Sequence, residues 1–90
     1  MNIEWDPKKA RANLRKHKVS FEEAATTVSD PMAATGADPD HSMVEDRYIT
    51  FGVSDRGRLL MVAHTEENET IRIISARLAS KGERKLYEEC

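Results

Sequence analysis

The chain opens on Asn2-Ile3-Glu4-Trp5, where polar and apolar residues alternate, and this predicts a short strand with one buried face. Asp6-Pro7 then starts a helix. The Asp6 side chain is placed to accept from orphan backbone N–H groups, and a proline at the first helical position loses nothing by lacking its own. Ala10, Asn13, Leu14 and His17 recur at i, i+3, i+4 and i+7, a narrow inward stripe with cations on its flanks. Ser20, with Glu23 three residues on, reads as a capping box. It opens a second helix through Ala24, Ala25 and Val28 that stops at Asp30-Pro31.

Beyond residue 31 the period changes from helical to two. Residues 32–40 have weak strand character and then turn. Arg47 to Val53 is rich in aromatic and β-branched residues and predicts a strand. Ser54-Asp55-Arg56-Gly57 is a hairpin turn, Leu59 to Thr65 the next strand, Glu66 to Glu69 a second turn, and Thr70 to Ala76 the most β-prone segment of the chain. Ser80 and Glu83 repeat the capping-box spacing before a last helix to about Glu89. The order β-α-α-β-β-β-β-α, with consecutive hairpins, predicts an α+β fold. An antiparallel sheet of four to five strands is expected, with N-terminal helices and a C-terminal helix, in two layers. Ninety residues suffice for one core, so residues 1–90 are read as a single domain.

Composition narrows the possibilities. With 39% hydrophobic and 33% charged residues, the chain is too apolar for disorder and too charged for a membrane span. The N-terminus carries no signal-peptide pattern, and the one cysteine, Cys90, has no intramolecular partner, which fits a reducing, cytoplasmic setting. No membrane contact is expected. There is no GxGxxG, Walker, GxSxG or Cys–His pattern, so no cofactor is expected either, and the common hydride-transfer, NTP-hydrolysing and serine or thiol chemistries lack support.

The net charge of −2 hides a segregation: Lys8, Lys9, Arg11, Arg15, Lys16 and Lys18 precede a stretch from Ser20 to Asp46 that holds acids and no cation. A basic element of this kind suits a polyanion, and an acidic one suits a basic partner, unless the two neutralise each other in the fold. Three constellations carry candidate chemistry. Lys16-His17-Lys18 closes the first helix, where cations also complement the helix dipole and His17 can equally be a packed residue. Thr70 to Arg77 is expected to alternate, with Ile71, Ile73 and Ser75 on one face and Arg72, Ile74 and Ala76 on the other. An arginine within such a strand needs an anion, either an internal carboxylate or a ligand phosphate, which a guanidinium grips with two parallel donors. Arg77 marks the strand's exit. The histidines His17, His41 and His64, with Asp38 and Asp40, offer metal-donor atoms without a recognised metal spacing; His64 shares its strand face with Leu60 and Val62 and is expected at the edge of the core.

Taken in order, Trp5-Asp6-Pro7-Lys8-Lys9, Asn13 and Lys16-His17-Lys18-Val19-Ser20-Phe21-Glu22-Glu23-Ala24 resemble the opening of the BrnT family of toxins from bacterial type II toxin–antitoxin systems. The match continues through Asp30-Pro31, Arg47, Gly52, Gly57-Arg58, His64, Ile71 to Arg77, Glu83-Arg84 and Tyr87-Glu88, while residues 33–43 depart from the pattern. The resemblance implies a RelE-like ribonuclease fold and RNA cleavage that halts translation. It also implies a ribbon–helix–helix (BrnA-like) antitoxin encoded beside the toxin, with DNA contacted only through that antitoxin. Carried residue by residue, it points to Lys16, His17, Arg47, His64, Arg72, Arg77 and Tyr87. Metal-free cleavage needs a base for the 2′-hydroxyl, cations for the phosphorane and an acid for the 5′-oxygen. Arg72 and Arg77 are assigned to the phosphate, His17 or His64 to proton transfer, and Lys16, Arg47 and Tyr87 to RNA binding; the acids of Glu66 to Glu69 suit a basic antitoxin. The rival readings are a non-enzymatic binding module, and a small metal enzyme built on His41, Asp38 and Asp40.

Overall fold

Two helices laid on one side of a five-stranded sheet form the core. The computed structural model describes residues 2–38 and 46–89. In chain order the elements are β1 (Asn2–Trp5), α1 (Pro7–His17), α2 (Phe21–Val28), β2 (Ala34–Ala37), β3 (Arg47–Val53), β4 (Leu59–Glu67), β5 (Thr70–Leu78) and α3 (Lys81–Glu89). The α+β class and the element order match the expectation from sequence. His41, Asp40 and Cys90 lie outside the described residues. Asp38, the remaining member of the metal reading, is buried, and the described residues hold no cluster of three metal-donor side chains.

Local chemistry sets the helix ends. Asp6 Oδ1 accepts from Lys8 N at 2.8 Å, and α1 closes on Lys18 in the left-handed region (φ 59°), whose N–H reaches Leu14 O at 3.0 Å. Ser80 and Glu83 form a complete capping box: Ser80 N donates to Glu83 Oε1 at 2.8 Å, and Glu83 N to Ser80 Oγ at 3.2 Å. At α2 only half of the expected box forms. Ser20 Oγ accepts from Glu23 N, but the Glu23 carboxylate turns into the protein, accepting from Ser54 Oγ at 2.6 Å and from Arg58 through Nε at 2.9 Å and a second guanidinium nitrogen. Hydrogen bonding to Arg58 holds this buried carboxyl below its usual range. A local cap is thus exchanged for a long-range tie between α2 and the β3–β4 turn.

The sheet runs β1-β5-β4-β3-β2. It is mixed rather than wholly antiparallel. β1 lies parallel to β5, with Ile3 opposite Ile71 and Trp5 opposite Ile73, because that register puts both apolar residues of β1 on the helix side. There they join Val19, Phe21, Ala24, Leu60, Val62, Ile71, Ile73 and Ala76, with the Trp5 and Phe21 rings edge to face at 6.1 Å. Phe21, Leu60 and Ile73 are sealed from solvent, each contributing about 1.5–3 kcal/mol by burial. Helix α2 passes close over β3: a Cβ added at Gly52 would meet Thr27 O at 2.9 Å. Leu14, placed on the inward stripe from sequence, is 49% exposed at the margin of α1.

The β4 and β5 strands each run two residues beyond the predicted ends. Their turn tightens to Asn68 and Glu69, both at positive φ (51° and 63°), the geometry of a two-residue hairpin matched to strand twist.

Candidate nucleic-acid interface

The expected alternation along β5 is broken at one point. Ile73 pairs with His64 and Ser75 pairs with Ala63, so Ile74 is an extra residue, a β-bulge. Upstream, Ile71 and Ile73 face the helices and Arg72 faces away. Downstream the phase is reversed: Ala76 is buried on the helix side, and Ser75 and Arg77 face away with Arg72. The two arginines are five residues apart and would sit on opposite faces of a regular strand; the bulge puts them on the same one.

That face is the side of the sheet opposite α1 and α2. Cross-strand register arranges it in rows. Arg47, Thr65, Arg72 and Glu4 lie in line across β3, β4, β5 and β1, which separates the Arg47 and Arg72 backbones by about 10 Å. Farther along the strands, Phe51, Met61 and Arg77 form another row. Tyr87 stands at the rim on α3, its hydroxyl donating to Met32 O at 3.1 Å.

Both β5 arginines have carboxylate partners, and both remain open to solvent. Arg72, with 48% of its side chain exposed, meets Glu4 Oε2 at 3.3 Å above a hollow of about 270 Å³ shared with Thr65 and Asn68. An exposed pair of this kind contributes about 0–1 kcal/mol, so it yields readily to a competing anion. Arg77 is held more firmly, donating to Glu83 at 2.7 and 2.9 Å with 36% of its side chain exposed. The arginine's hydrogen bonds pull the Glu83 carboxyl down to about 2 and raise Arg77 further above its usual value.

Lys16 and His17 lie around the edge of the sheet. Beyond Ile73 the outer edge of β5 is no longer covered by β1, and α1 runs beside it. Lys9, Lys16 and His17 there line an open groove of about 300 Å³ whose floor is Ile74 and Ser75, and no carboxylate lines it. The bulge is therefore shared: Ile74 shapes the groove, and Ser75 connects it to the face that carries Arg72.

His64 is separated from these residues. It pairs with Ile73, so it faces the helix side while Arg72 faces away. Only 1% of its surface is exposed. Nε2 lies 2.7 Å from Thr50 Oγ1, which in turn lies 2.7 Å from Thr35 Oγ1, and Tyr48 stacks on the ring at 6.0 Å. Burial lowers its pKa below the usual 6.5, partly offset by Glu66 3.8 Å from Nδ1. The structure thus gathers Arg47, Arg72, Arg77 and Tyr87 on one face, sets Lys16 and His17 at its edge, and leaves His64 in the interior.

Asn13, on the inward stripe of α1 and in the string that carries the family resemblance, finishes the sheet. Its Nδ2 donates to Val19 O at 2.9 Å and Ala76 O at 2.8 Å, and its Oδ1 accepts from Ala76 N at 3.1 Å. One buried amide thus replaces the strand that β5 lacks past the bulge. Its polarity among Ala10, Leu14 and His17 was the available signal.

An α+β domain with α1 and α2 on one side of the sheet, and arginines across the other beside α3, defines the class. Within that class the chain belongs to the BrnT family, whose model, described as "Ribonuclease toxin, BrnT, of type II toxin-antitoxin system", matches residues 5–83. The chain is similar to the 1.1 Å crystal structure of the Brucella abortus ribonuclease toxin BrnT, with a TM-score of 0.70 and 25% identity, over 90% of this chain and 99% of that one. A search among curated proteins finds no match. Membership makes the chain a ribonuclease toxin, with RNA as substrate and an antitoxin as partner. No helix among the described residues is long and apolar enough to cross a membrane.

Proposed function

We propose that RNA is bound across the open sheet face and cleaved there without a metal ion. The observation that supports this reading is the bulge at Ile74, which sets Arg72 and Arg77 on the same solvent-facing side as Arg47. Guanidinium groups supply the fixed positive charge that a phosphorane needs, at any relevant pH. The scissile phosphate displaces Glu4 from Arg72, exchanging a weak exposed pair for a bidentate one. Arg77 stabilises the charge that develops on the phosphate, while Lys16 and Lys9 hold flanking phosphates in the groove at the edge of the sheet. Arg47 and Tyr87 contact the RNA on either side.

In the reaction the 2′-oxygen forms a bond to phosphorus and the bond from phosphorus to the 5′-oxygen breaks, leaving a 2′,3′-cyclic phosphate. A base removes the 2′-hydroxyl proton and an acid delivers one to the 5′-oxygen. His17 is the residue assigned to proton transfer, because it is half-buried in the groove next to Ser75 and an imidazole offers both a donor and an acceptor nitrogen. His64 is assigned a supporting role in the sheet. The partner is a ribbon–helix–helix antitoxin encoded beside the toxin, and operator DNA is contacted through that antitoxin.

The test is incubation of the purified chain with labelled RNA in EDTA. Products ending in a 2′,3′-cyclic phosphate support the reading. Activity that appears only on adding a divalent metal overturns metal independence, and an RNA mobility shift without cleavage favours a binding module.

A further inference from the structure

We infer that the outer edge of β2 receives an extended, uncharged segment of the antitoxin as a sixth strand. β2 is the last strand of the sheet, and all four of its residues, Ala34, Thr35, Gly36 and Ala37, are exposed. Among the described residues its outward N–H and C=O groups have no backbone partner. Free sheet edges are ordinarily blunted by charge, proline, a bulge or a covering element. β2 has no charge and no proline, and its ladder with β3 is regular. On the opposite side of the sheet the last strand, β1, carries the charged Glu4, and where β1 ends the bare edge of β5 is met by the Asn13 amide of α1, which takes both the N–H and the C=O of Ala76.

The surface beside this edge fixes the chemistry of the occupant. Ala34, Phe51, Leu86 and Tyr87 enclose an apolar hollow of about 150 Å³ between α3 and the sheet. Its one acid, Glu83, is engaged by Arg77. Leu86 is 68% exposed, and Met32, just before β2, is 78% exposed. An edge of open backbone groups next to an uncharged hollow fits a strand whose alternate residues are apolar, the binding mode known as β-augmentation. A basic segment finds no opposite charge there. Two copies meeting at β2 would share only these four-residue strands, far short of the roughly 20–30 residues a side of a stable interface. An antitoxin chain instead runs on from the strand along α3. Phe51 begins the row that ends at Arg77, so a segment seated here also reaches the open face proposed for RNA.

The test uses the full chain and its antitoxin, co-expressed from the neighbouring reading frame, with binding rather than cleavage as the readout, so that it is independent of the RNA proposal. Backbone hydrogen exchange of the 34–37 segment should slow on complex formation. Gly36→Lys has open space for its side chain and should weaken antitoxin binding by about tenfold or more, as should Leu86→Glu, with unfolding midpoints and RNA cleavage by the isolated toxin unchanged. Unchanged exchange in β2, or wild-type affinity in both variants, overturns the proposal. So does protection of β2 in the toxin alone with doubling of its mass, which would assign the edge to a second copy.

Discussion

Replacing Glu83 with glutamine keeps the side chain's shape and its place in the capping box with Ser80 but removes the charge that holds Arg77. The fall of the Glu83 carboxyl from 4.5 to about 2 corresponds in full to about 3 kcal/mol of differential interaction. Arg77 has 36% of its side chain exposed, so solvent screening reduces the expected loss to about 1–2 kcal/mol. The sign follows from linkage. A carboxyl whose folded pKa is depressed contributes its full stabilisation above the unfolded value, here 4.5, and loses it as pH falls toward 2. Urea unfolding of wild type, Glu83→Gln, Arg77→Met and the double variant from pH 7 to 3 measures this. Glu83→Gln should be less stable by about 1–2 kcal/mol at pH 7, with the gap narrowing below pH 4.5. The cycle should return an interaction energy of similar size. A gap that stays constant down to pH 3, or a coupling below about 0.3 kcal/mol, refutes the pairing as an energetic contact.

Asn13→Ala leaves the N–H and C=O of Ala76 and the Val19 carbonyl without their buried partner. It should cost about 2–4 kcal/mol by denaturant unfolding, and Asn13→Asp should not rescue it, because a carboxylate cannot donate to the two carbonyls. His64 is buried with its pKa lowered. The stability from keeping it neutral is complete above pH 6.5 and is lost as pH falls from there toward the lowered folded value, at up to about 1.4 kcal/mol per pH unit. The stability difference between wild type and His64→Gln should therefore shrink between pH 7.5 and 5.5; a constant difference contradicts the burial of neutral imidazole. Glu4→Gln removes an exposed partner of Arg72 and should change stability by less than about 1 kcal/mol. RNA affinity, read by fluorescence anisotropy, should hold or rise, and a fall would contradict the proposed exchange of Glu4 for phosphate.

Features set by neighbouring residues were legible in the sequence. The caps at Asp6 and Ser80 depend on groups two or three positions apart, and the hairpins joining β3, β4 and β5 depend on turn residues between β-prone runs. Features set by distant contacts were not. β1 appears as a strand, but its parallel pairing with β5 is decided by where Ile3 and Trp5 find the core. The Glu23 carboxylate has two satisfying partners, a cap three residues away and Arg58 thirty-five residues away, and the second became available only in the folded chain. The bulge at Ile74 has no glycine to announce it, so simple alternation puts Ser75 on the face of Ile71 and Ile73 and Ala76 on the face of Arg72, the reverse of what the register shows. Lys16, His17, His64, Arg72 and Arg77 stand out by residue type and position, whereas Arg47 and Tyr87 are pointed to only by the ordered resemblance to BrnT toxins. Their geometry, with His64 interior and the arginines on one face, came from the register.

Whether RNA lies on the open sheet face is decided most directly by Arg72→Ala, assayed for cleavage of labelled RNA in EDTA alongside its unfolding midpoint and antitoxin affinity. Because Arg72 is half-exposed and its pair with Glu4 is weak, the variant should fold and bind antitoxin as wild type does, while cleavage falls by about 100-fold or more. A folded Arg72→Ala protein that cuts RNA within about twofold of the wild-type rate would place the chemistry elsewhere.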